Sequence, residues 1–276
     1  MPRELTDREY AECFDCFKAH STEWDALSRW LADELLPTLG HRDRIRVLSV
    51  GSGTGDFDLV LMRLLDGAGF GIDYTAVDPN HEHNAVFERR VRESRLSPDR
   101  FGILPVPFQP GTAPGTYDLI HFTHCLYYIP NRAEAIQRAR EMLAPGGSLL
   151  IFHQTALGIN EVQRLFMERV KGETREMFSC FDLLAILDRL DIPCTFDLLL
   201  SDVDVTDIMD GTPEGEMLLC FFLESGLEGV DPALFAEVIR YVRENSRVED
   251  GRFSLFHPGG IVRIRADASP VPGRKE

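Results

Sequence analysis

Three alternate glycines stand in the stretch of the sequence that carries the clearest chemistry. Gly51, Gly53 and Gly55 follow a β-rich apolar run that begins at Ile45, and they precede periodic apolar residues that suit a helix. A ligand can lie against such a turn between strand and helix, because glycine has no Cβ. Ser52 belongs to the same turn. The pattern predicts a nucleotide-like ligand, and an ordinary tight turn is the alternative.

An acidic residue ends the next predicted strand, which covers residues 74–77. Asp78, followed by Pro79, is placed to accept hydrogen bonds from the ribose hydroxyls of a ligand that lies at the neighbouring strand. The alternative is that Asp78 only begins a turn before the proline. The two features together favour a bound nucleoside more strongly than either does alone.

The spacing of the glycines separates two classes of ligand. Dinucleotide-binding folds use GxGxxG, which would place a third glycine where this chain has Asp56, whereas the sequence here is GxGxG. S-adenosylmethionine (SAM) has no pyrophosphate to cradle, and SAM enzymes use the second spacing. We therefore expect SAM as cofactor and S-adenosylhomocysteine as product, and a nicotinamide oxidoreductase is disfavoured. A proline-glycine-glycine turn into a strand, at residues 145–147, also recurs in class I methyltransferases.

Strands and helices alternate along the first half of the chain, which predicts a parallel sheet flanked by helices. The expected fold class is α/β: a Rossmann-like class I methyltransferase fold with a mostly parallel sheet, a C-terminal antiparallel hairpin strand and an N-terminal helical cap. The hairpin is expected between residues 252–256 and 261–265. The expected organisation is a helical cap over the substrate site (1–40), a SAM-binding core (41–155), substrate-site walls that complete the sheet in the same domain (156–266) and a disordered tail (267–276).

Composition narrows the class of partner. The chain has 45 acidic and 29 basic residues and a formal charge of −16, which would repel phosphate backbones and anionic lipid. We expect a small-molecule substrate, no nucleic-acid or membrane partner, and a monomer or weak homodimer. No signal-peptide or membrane-spanning run is evident, so a cytoplasmic protein is expected. Cys13 and Cys16 form a CxxC without a second pair or a suitably spaced histidine, so no metal site is predicted.

Several segments together resemble one family of methyltransferases. They are YAECF from Tyr10, HSTE ending at Glu23, the glycine turn, Asp78-Pro79, the run 121–129 that contains LYY, and residues 198–207 and 215–224. Over most of its length the chain is similar to histamine N-methyltransferase. Ser49 agrees with this resemblance, because many SAM enzymes carry an acid there and this family carries serine.

The resemblance implies roles for residues outside the turn. Tyr10, Phe14 and Glu23 would face the amine substrate, as would Tyr127 with its neighbour Tyr128.

His124, where the animal enzyme has glutamine, would touch both substrate and cofactor, and an aromatic from the 216–224 helix would be Phe221 or Phe222. Two tryptophans that flank the histamine ring in the family are replaced near Ile159 and Gln163. Histidine or a thiohistidine is therefore an alternative to histamine as the acceptor.

Methyl transfer to nitrogen needs a neutral lone pair aligned behind the methyl group, and positioning can supply most of the acceleration. Glu23 would anchor the ammonium or ring N–H of the substrate by a charge-assisted hydrogen bond. His124 would position the ring or accept the released proton. The alternative for His124 is a histidine that only packs at a strand end. Tyr127 is the third expected catalytic residue, beside Glu23 and His124. A SAM-binding protein without turnover, and a methyltransferase for an unrelated small amine, are the alternative functions.

Overall fold

The computed structural model of the protein describes residues 3–96, 98–109, 111–172 and 177–267, and most of the predicted C-terminal tail lies outside them. Within these residues, seven strands form one sheet in the order β3-β2-β1-β4-β5-β10-β6, and three form a second sheet in the order β7-β9-β8. The strands are β1 (Arg44–Val50), β2 (Gly71–Val77), β3 (Arg100–Leu104), β4 (Tyr117–Thr123), β5 (Leu143–Gln154), β6 (Thr195–Leu199), β7 (Asp202–Asp204), β8 (Ser246–Glu249), β9 (Arg252–Phe256) and β10 (Gly259–Arg265).

The seven-stranded sheet is mostly parallel, with one antiparallel strand and flanking helices, which confirms the predicted fold class. β1 pairs in parallel with β2 on one side and with β4 on the other, so the strand order reverses beside β1. In open α/β sheets ligands bind at the carboxyl ends of the strands next to such a reversal. The glycine turn leaves β1 at that point. Almost every residue of β4 is buried, as expected for a strand covered on both faces.

Several of the described helices begin after residues whose side chains cap the helix N-terminus. Thr6 and Glu9 form a capping box before the first helix, and Asn80 and Asp231 cap two others. The α-helices are α1 (Asp7–His20), α2 (Glu23–Trp30), α3 (Asp56–Gly67), α4 (His81–Glu93), α5 (Arg132–Glu141), α6 (Ile159–Lys171), α7 (Cys180–Arg189), α8 (Thr206–Asp210), α9 (Pro213–Leu223) and α10 (Pro232–Glu244). A π-helical turn (Leu31–Leu35) and a 3-10 turn (Leu36–Leu39) follow α2, and a 3-10 turn (Leu126–Tyr128) follows β4. No helix among the described residues is long and apolar enough to cross a membrane.

The chain forms two compact units, each assembled from separate stretches of sequence. The sheet unit comprises Ser28–His153, Cys180–Asp197 and Gly260–Glu276, and the helical unit comprises Met1–Leu27, Gln154–Ser179 and Leu198–Gly259. Each has its own apolar core. In the helical unit the core includes Phe17, Val162, Phe166, Leu218 and Phe222.

One predicted pairing differs from the structure. Residues 252–256 do not form a hairpin with 261–265: β9 pairs antiparallel with β8 and β7, whereas β10 belongs to the seven-stranded sheet. The hairpin turn is Asp250-Gly251, where both residues have positive φ (49° and 79°). Asp-Gly is a strong signal for a two-residue hairpin, and His257-Pro258 is not.

Candidate functional site

The glycine turn of the sheet unit is shaped by close packing at its two ends. Gly51, Gly53 and Gly55 have φ of 68°, 53° and 77°. A Cβ on Gly51 would lie 2.5 Å from the Cβ of Cys125, and one on Gly55 would lie 2.0 Å from the ring of Phe87. Around Gly53, by contrast, no described atom lies within 4 Å of such a Cβ. The outer glycines are thus required by packing, and the middle one leaves its side open for a ligand.

Asp78 is tied to this turn by its carboxylate. Its Oδ2 accepts a hydrogen bond from the Gly53 amide at 2.9 Å, and its Oδ1 accepts one from the Asn80 amide at 2.8 Å. Asp78 therefore does begin a turn, through Pro79 to Asn80, and it also holds the glycine turn against the end of β2. A carboxylate has about four lone-pair sites, so acceptor capacity remains for ribose hydroxyls.

An arginine clamps the other side of the turn. Arg90 of α4 donates to the Thr54 carbonyl at 2.9 Å and to the Asp56 carboxylate at 3.0 Å. Asp56, which stands where a dinucleotide-binding fold would have its third glycine, is thus the first residue of α3 and part of an ion pair. Arg90 could not be found from the sequence, because no spacing rule links it to residues more than thirty positions earlier.

A buried polar network lies among β2, β4 and α3 of the sheet unit. The Tyr74 hydroxyl donates to Asp58 at 2.8 Å and lies 3.0 Å from Nε2 of His121, whose Nδ1 is 3.1 Å from the Thr123 hydroxyl. Burial lowers the pKa of His121 to about 3. Burial also raises the pKa of Asp58 to about 6, although the hydrogen bond from Tyr74 acts against it. His121 is therefore a neutral core histidine, which agrees with a structural role.

The segment after β4 carries three of the predicted site residues. His124 has a positive φ of 47°, and its amide donates to the Phe152 carbonyl at 3.0 Å. Positive φ is uncommon for residues other than glycine and directs attention to function. Tyr127 and Tyr128 lie in the following 3-10 turn, with ring centroids 4.4 Å apart. The Tyr127 ring also lies 5.5 Å from that of His153, whereas Tyr128 is exposed.

In the helical unit, aromatic rings from α1 and α9 form a cluster centred on Phe221. Its ring centroid lies 4.6 Å from that of Phe17, 5.7 Å from Phe14 and 5.9 Å from Tyr10. Phe222 points elsewhere: it is fully buried in the apolar core of the unit. The structure thus groups Phe221 with the predicted substrate-binding rings of Tyr10 and Phe14, and Phe17 contacts the Phe221 ring from the apolar core.

Glu23 is the first residue of α2 and is only 6% exposed. Its main-chain amide donates to the Ser21 hydroxyl at 3.1 Å. A Cβ built on Gly259 would lie 3.5 Å from the Glu23 carboxylate, which places the two residues side by side. A buried carboxylate at this position can bind a cation or an N–H group.

The two α6 positions at which the sequence resemblance implies replaced tryptophans carry smaller side chains. Ile159 and Gln163 are both buried, and the Gln163 amide lies 3.4 Å from the Glu224 carboxylate. The Ile159 amide donates to Nδ1 of His257 at 3.3 Å, and the His257 ring lies 5.9 Å from that of Phe17. At these two positions, therefore, α6 contributes no aromatic ring.

Comparison with known proteins identifies the class. Residues 23–191 match the family model described as "Methyltransferase domain". The chain belongs to this methyltransferase family.

The methyltransferase is 26% identical to histamine N-methyltransferase of Cavia porcellus over 251 residues, which cover 84% of this chain and 86% of that protein. It is 30% identical to carnosine N-methyltransferase 2 of Gallus gallus over 166 residues, which cover 54% of this chain and 51% of that protein. Among solved structures, the YcgJ protein from Bacillus subtilis aligns with a TM-score of 0.54 at 14% identity, over 85% of this chain and 97% of that one. The last comparison shows the fold alone.

The methyltransferase is SAM-dependent, and two observations on the turn fit that cofactor. The side of Gly53 that a Cβ would fill is open, so a ligand can approach the main chain there. The Ser52 hydroxyl is buried without a hydrogen-bond partner in the part of the chain that the structure describes. A buried hydroxyl of this kind lowers stability unless a ligand supplies its hydrogen-bond partner. Among the described residues, no group of three or more His, Cys, Asp or Glu side chains could hold a metal ion.

Proposed function

We propose that the chain transfers a methyl group from SAM to a nitrogen of a small imidazole-containing amine such as histamine, histidine or a thiohistidine. The observation that carries this proposal is the similarity to histamine N-methyltransferase over 84% of the chain. The second relative is named for carnosine, and both named compounds contain an imidazole ring.

SAM supplies an electrophilic methyl group on a sulfonium. We assign its binding to Gly51, Ser52, Gly53 and Gly55 of the turn and to the Asp78-Pro79 pair. The open side of Gly53 supports this assignment, as does the Asp78 carboxylate fixed at the turn by two main-chain amides. The role of Asp78 is to accept hydrogen bonds from ribose hydroxyls with the lone pairs that those amides leave available.

Recognition of the acceptor falls to the N-terminal segment, residues 1–40, together with α9. Tyr10, Phe14 and Phe221 offer aromatic faces for a flat ring, and the distances among their rings support a shared role. Phe222 is left out of this assignment because its side chain fills the core. Tyr127 and Tyr128 are assigned to the acceptor as well, from the resemblance of their segment.

The side chains contribute to methyl transfer mainly by positioning the acceptor. A neutral imidazole nitrogen already carries the lone pair that attacks, so holding it in line, with no strong base, supplies most of the acceleration. Glu23 accepts a hydrogen bond from the ammonium or ring N–H of the acceptor, which is stronger in a buried setting than in water. His124 orients the ring or takes up the released proton near neutral pH.

A second candidate function is a SAM-binding protein without turnover. It is favoured by the small or polar residues at the two α6 positions, since Ile159 and Gln163 cannot sandwich a ring as two tryptophans do. The same observation also fits a methyltransferase for an unrelated small amine. Product formation separates the three functions.

The decisive experiment combines binding and turnover. Isothermal titration measures SAM and S-adenosylhomocysteine binding, and mass spectrometry then detects methylated product across histamine, histidine, carnosine, thiohistidines and other small amines. Methylation of at least one imidazole is expected. Tight SAM binding with no product from imidazoles or other amines would instead favour the second candidate.

Glu23→Gln tests the assignment of the anchor. Loss of a charge-assisted hydrogen bond should raise the acceptor KM about 10- to 100-fold, equivalent to roughly 1.5 to 3 kcal/mol, and leave the SAM Kd unchanged. Glu12→Gln is the matched control, because Glu12 is exposed and paired with Arg8 on the surface of α1. An equal loss of SAM and acceptor affinity in Glu23→Gln would show that its role is misassigned.

A further inference from the structure

His20 ends α1 and is held on both sides of its ring. Its Nδ1 lies 2.8 Å from the Cys16 carbonyl of its own helix, and its Nε2 lies 3.0 Å from the Asp207 carboxylate at the start of α8. The Thr212 hydroxyl donates to the same carboxylate at 2.8 Å and so holds it in place. All of these residues belong to the helical unit.

Both partners of the His20 ring are acceptors. A carbonyl cannot donate, and an ionised carboxylate cannot donate either. A neutral imidazole has one N–H, so it could satisfy only one of the two contacts and would turn a lone pair towards the other. The imidazolium satisfies both. Its positive charge is also favoured at the carboxyl end of a helix, where the helix dipole is negative.

The charged groups around His20 favour the same form. Burial lowers the pKa of His20. The hydrogen bonds to Cys16 and Asp207 raise it, as do the negative charges of Asp207 and of Asp204 on β7. These contributions outweigh burial and leave the pKa raised above 6.5. The hydrogen bond from His20 in turn lowers the pKa of Asp207. The neighbouring Cys16 thiol is neutral, since burial raises its pKa to about 11.

The chain from His20 to Glu23 is fixed along its whole length. Ser21 forms a β-bridge with Val203, and the Thr22 amide donates to the Asp202 carbonyl at 3.0 Å. The Asp202 amide donates to the Thr22 hydroxyl at 2.9 Å in return. The side chains of His20 and Thr22 thus both anchor a short strap, residues 20–23, and Glu23 at the end of this strap begins α2.

We propose that His20, held as an imidazolium between the Cys16 carbonyl and the Asp207 carboxylate, is the positioning residue for Glu23. Loss of its proton breaks one of its two contacts and loosens the strap. Acceptor binding then weakens as pH rises, while SAM binding does not change. This inference rests on the proposed function, because it takes Glu23 as the acceptor's anchor.

The test follows the main-chain amides of Thr22, Glu23 and Ala26 by nuclear magnetic resonance from about pH 5.5 to 9. In the wild type these amides should titrate with one midpoint above 6.5. In Asp207→Asn, which keeps an acceptor but removes the charge, the midpoint should fall by about one pH unit. In His20→Gln the titration should disappear. Asp210→Asn is the matched control, since it removes one exposed charge from the same helix and should leave the midpoint unchanged.

A second readout uses histamine as the probe. The histamine Kd of the wild type should rise roughly tenfold across the amide midpoint, and that of His20→Gln should be high at every pH, with the SAM Kd constant throughout. Amides that do not titrate, or that titrate unchanged in His20→Gln, would overturn the proposal. Equal histamine Kd values in wild type and His20→Gln at every pH would do so as well. If no imidazole binds the wild type, the proposed acceptor class is wrong, and the amide titration still decides the role of His20.

Discussion

The glycine turn exposes main-chain atoms, whereas the aromatic cluster exposes side-chain rings. In the sheet unit the candidate ligand surface is main chain, with Gly53 open and its amide bound to Asp78. In the helical unit the candidate surface is a set of side-chain rings around Phe221. A main-chain surface keeps its shape as long as its glycines and its carboxylate are retained, whereas a side-chain surface changes with each substitution. This difference suits an enzyme whose cofactor is constant and whose acceptor varies among relatives.

Substitution of the neighbours Phe221 and Phe222 should give the largest difference in the free energy of unfolding. Phe222→Ala should lower the free energy of unfolding by about 3 to 5 kcal/mol, because it leaves a cavity in the core of the helical unit. Phe221→Ala should cost much less stability, since its ring is only partly buried, and should mainly raise the acceptor KM. Urea unfolding and steady-state kinetics measure the two effects. Larger destabilisation by Phe221→Ala than by Phe222→Ala would mean that the cluster around Phe221 is core and not a binding surface.

The glycines give the next largest effect. Gly55→Ala should lower the free energy of unfolding by roughly 3 kcal/mol, because its Cβ meets the fully buried ring of Phe87 and its φ is 77°. Gly53→Ala should cost only about 1 to 2 kcal/mol, from φ alone, and should weaken SAM binding more than stability. Urea unfolding with SAM titration distinguishes the two. Similar losses of stability in both variants would contradict the idea that only the middle glycine faces a ligand.

The turn could be predicted from the sequence because its determinants are local. The three glycines directly follow the first strand, Asp78 ends the next strand along the chain, and the parallel pairing of β1 with β2 brings the two strand ends side by side. Even there the sequence does not show that Asp78 binds the Gly53 amide or that Arg90 binds the Thr54 carbonyl. Such contacts depend on the positions of α4 and β2 in three dimensions.

The aromatic cluster could be predicted only through resemblance, since its members come from distant parts of the chain. Phe17 and His257 join it through packing, for which no local spacing rule exists. The pairing of β9 with β8 could have been found, because Asp250-Gly251 is a hairpin signal. The choice between Phe221 and Phe222 required the structure, because both follow the apolar pattern of α9.

One histidine in each unit, His121 and His20, makes stability depend on pH, and these are the smallest effects expected. The pKa of His121 is lowered to about 3 by burial, so the unfolded state binds its proton more readily and stability falls as pH drops from about 6.5 towards 3. The pKa of His20 is raised, so its contribution is complete below about 6.5 and is lost as pH rises through the folded-state pKa. In thermal unfolding across pH, His121→Gln should flatten the acid limb and His20→Gln the alkaline limb. The reverse assignment would contradict the charge states that the hydrogen bonds imply.

Titration calorimetry of SAM tests most directly whether the glycine turn and Asp78 bind SAM while Glu23 binds the acceptor. The wild type should bind SAM, Asp78→Ala should lose roughly 1 to 3 kcal/mol of binding free energy, and Glu23→Gln should bind as the wild type does. Absence of SAM binding to the wild type, or an equal loss in both variants, would contradict the account.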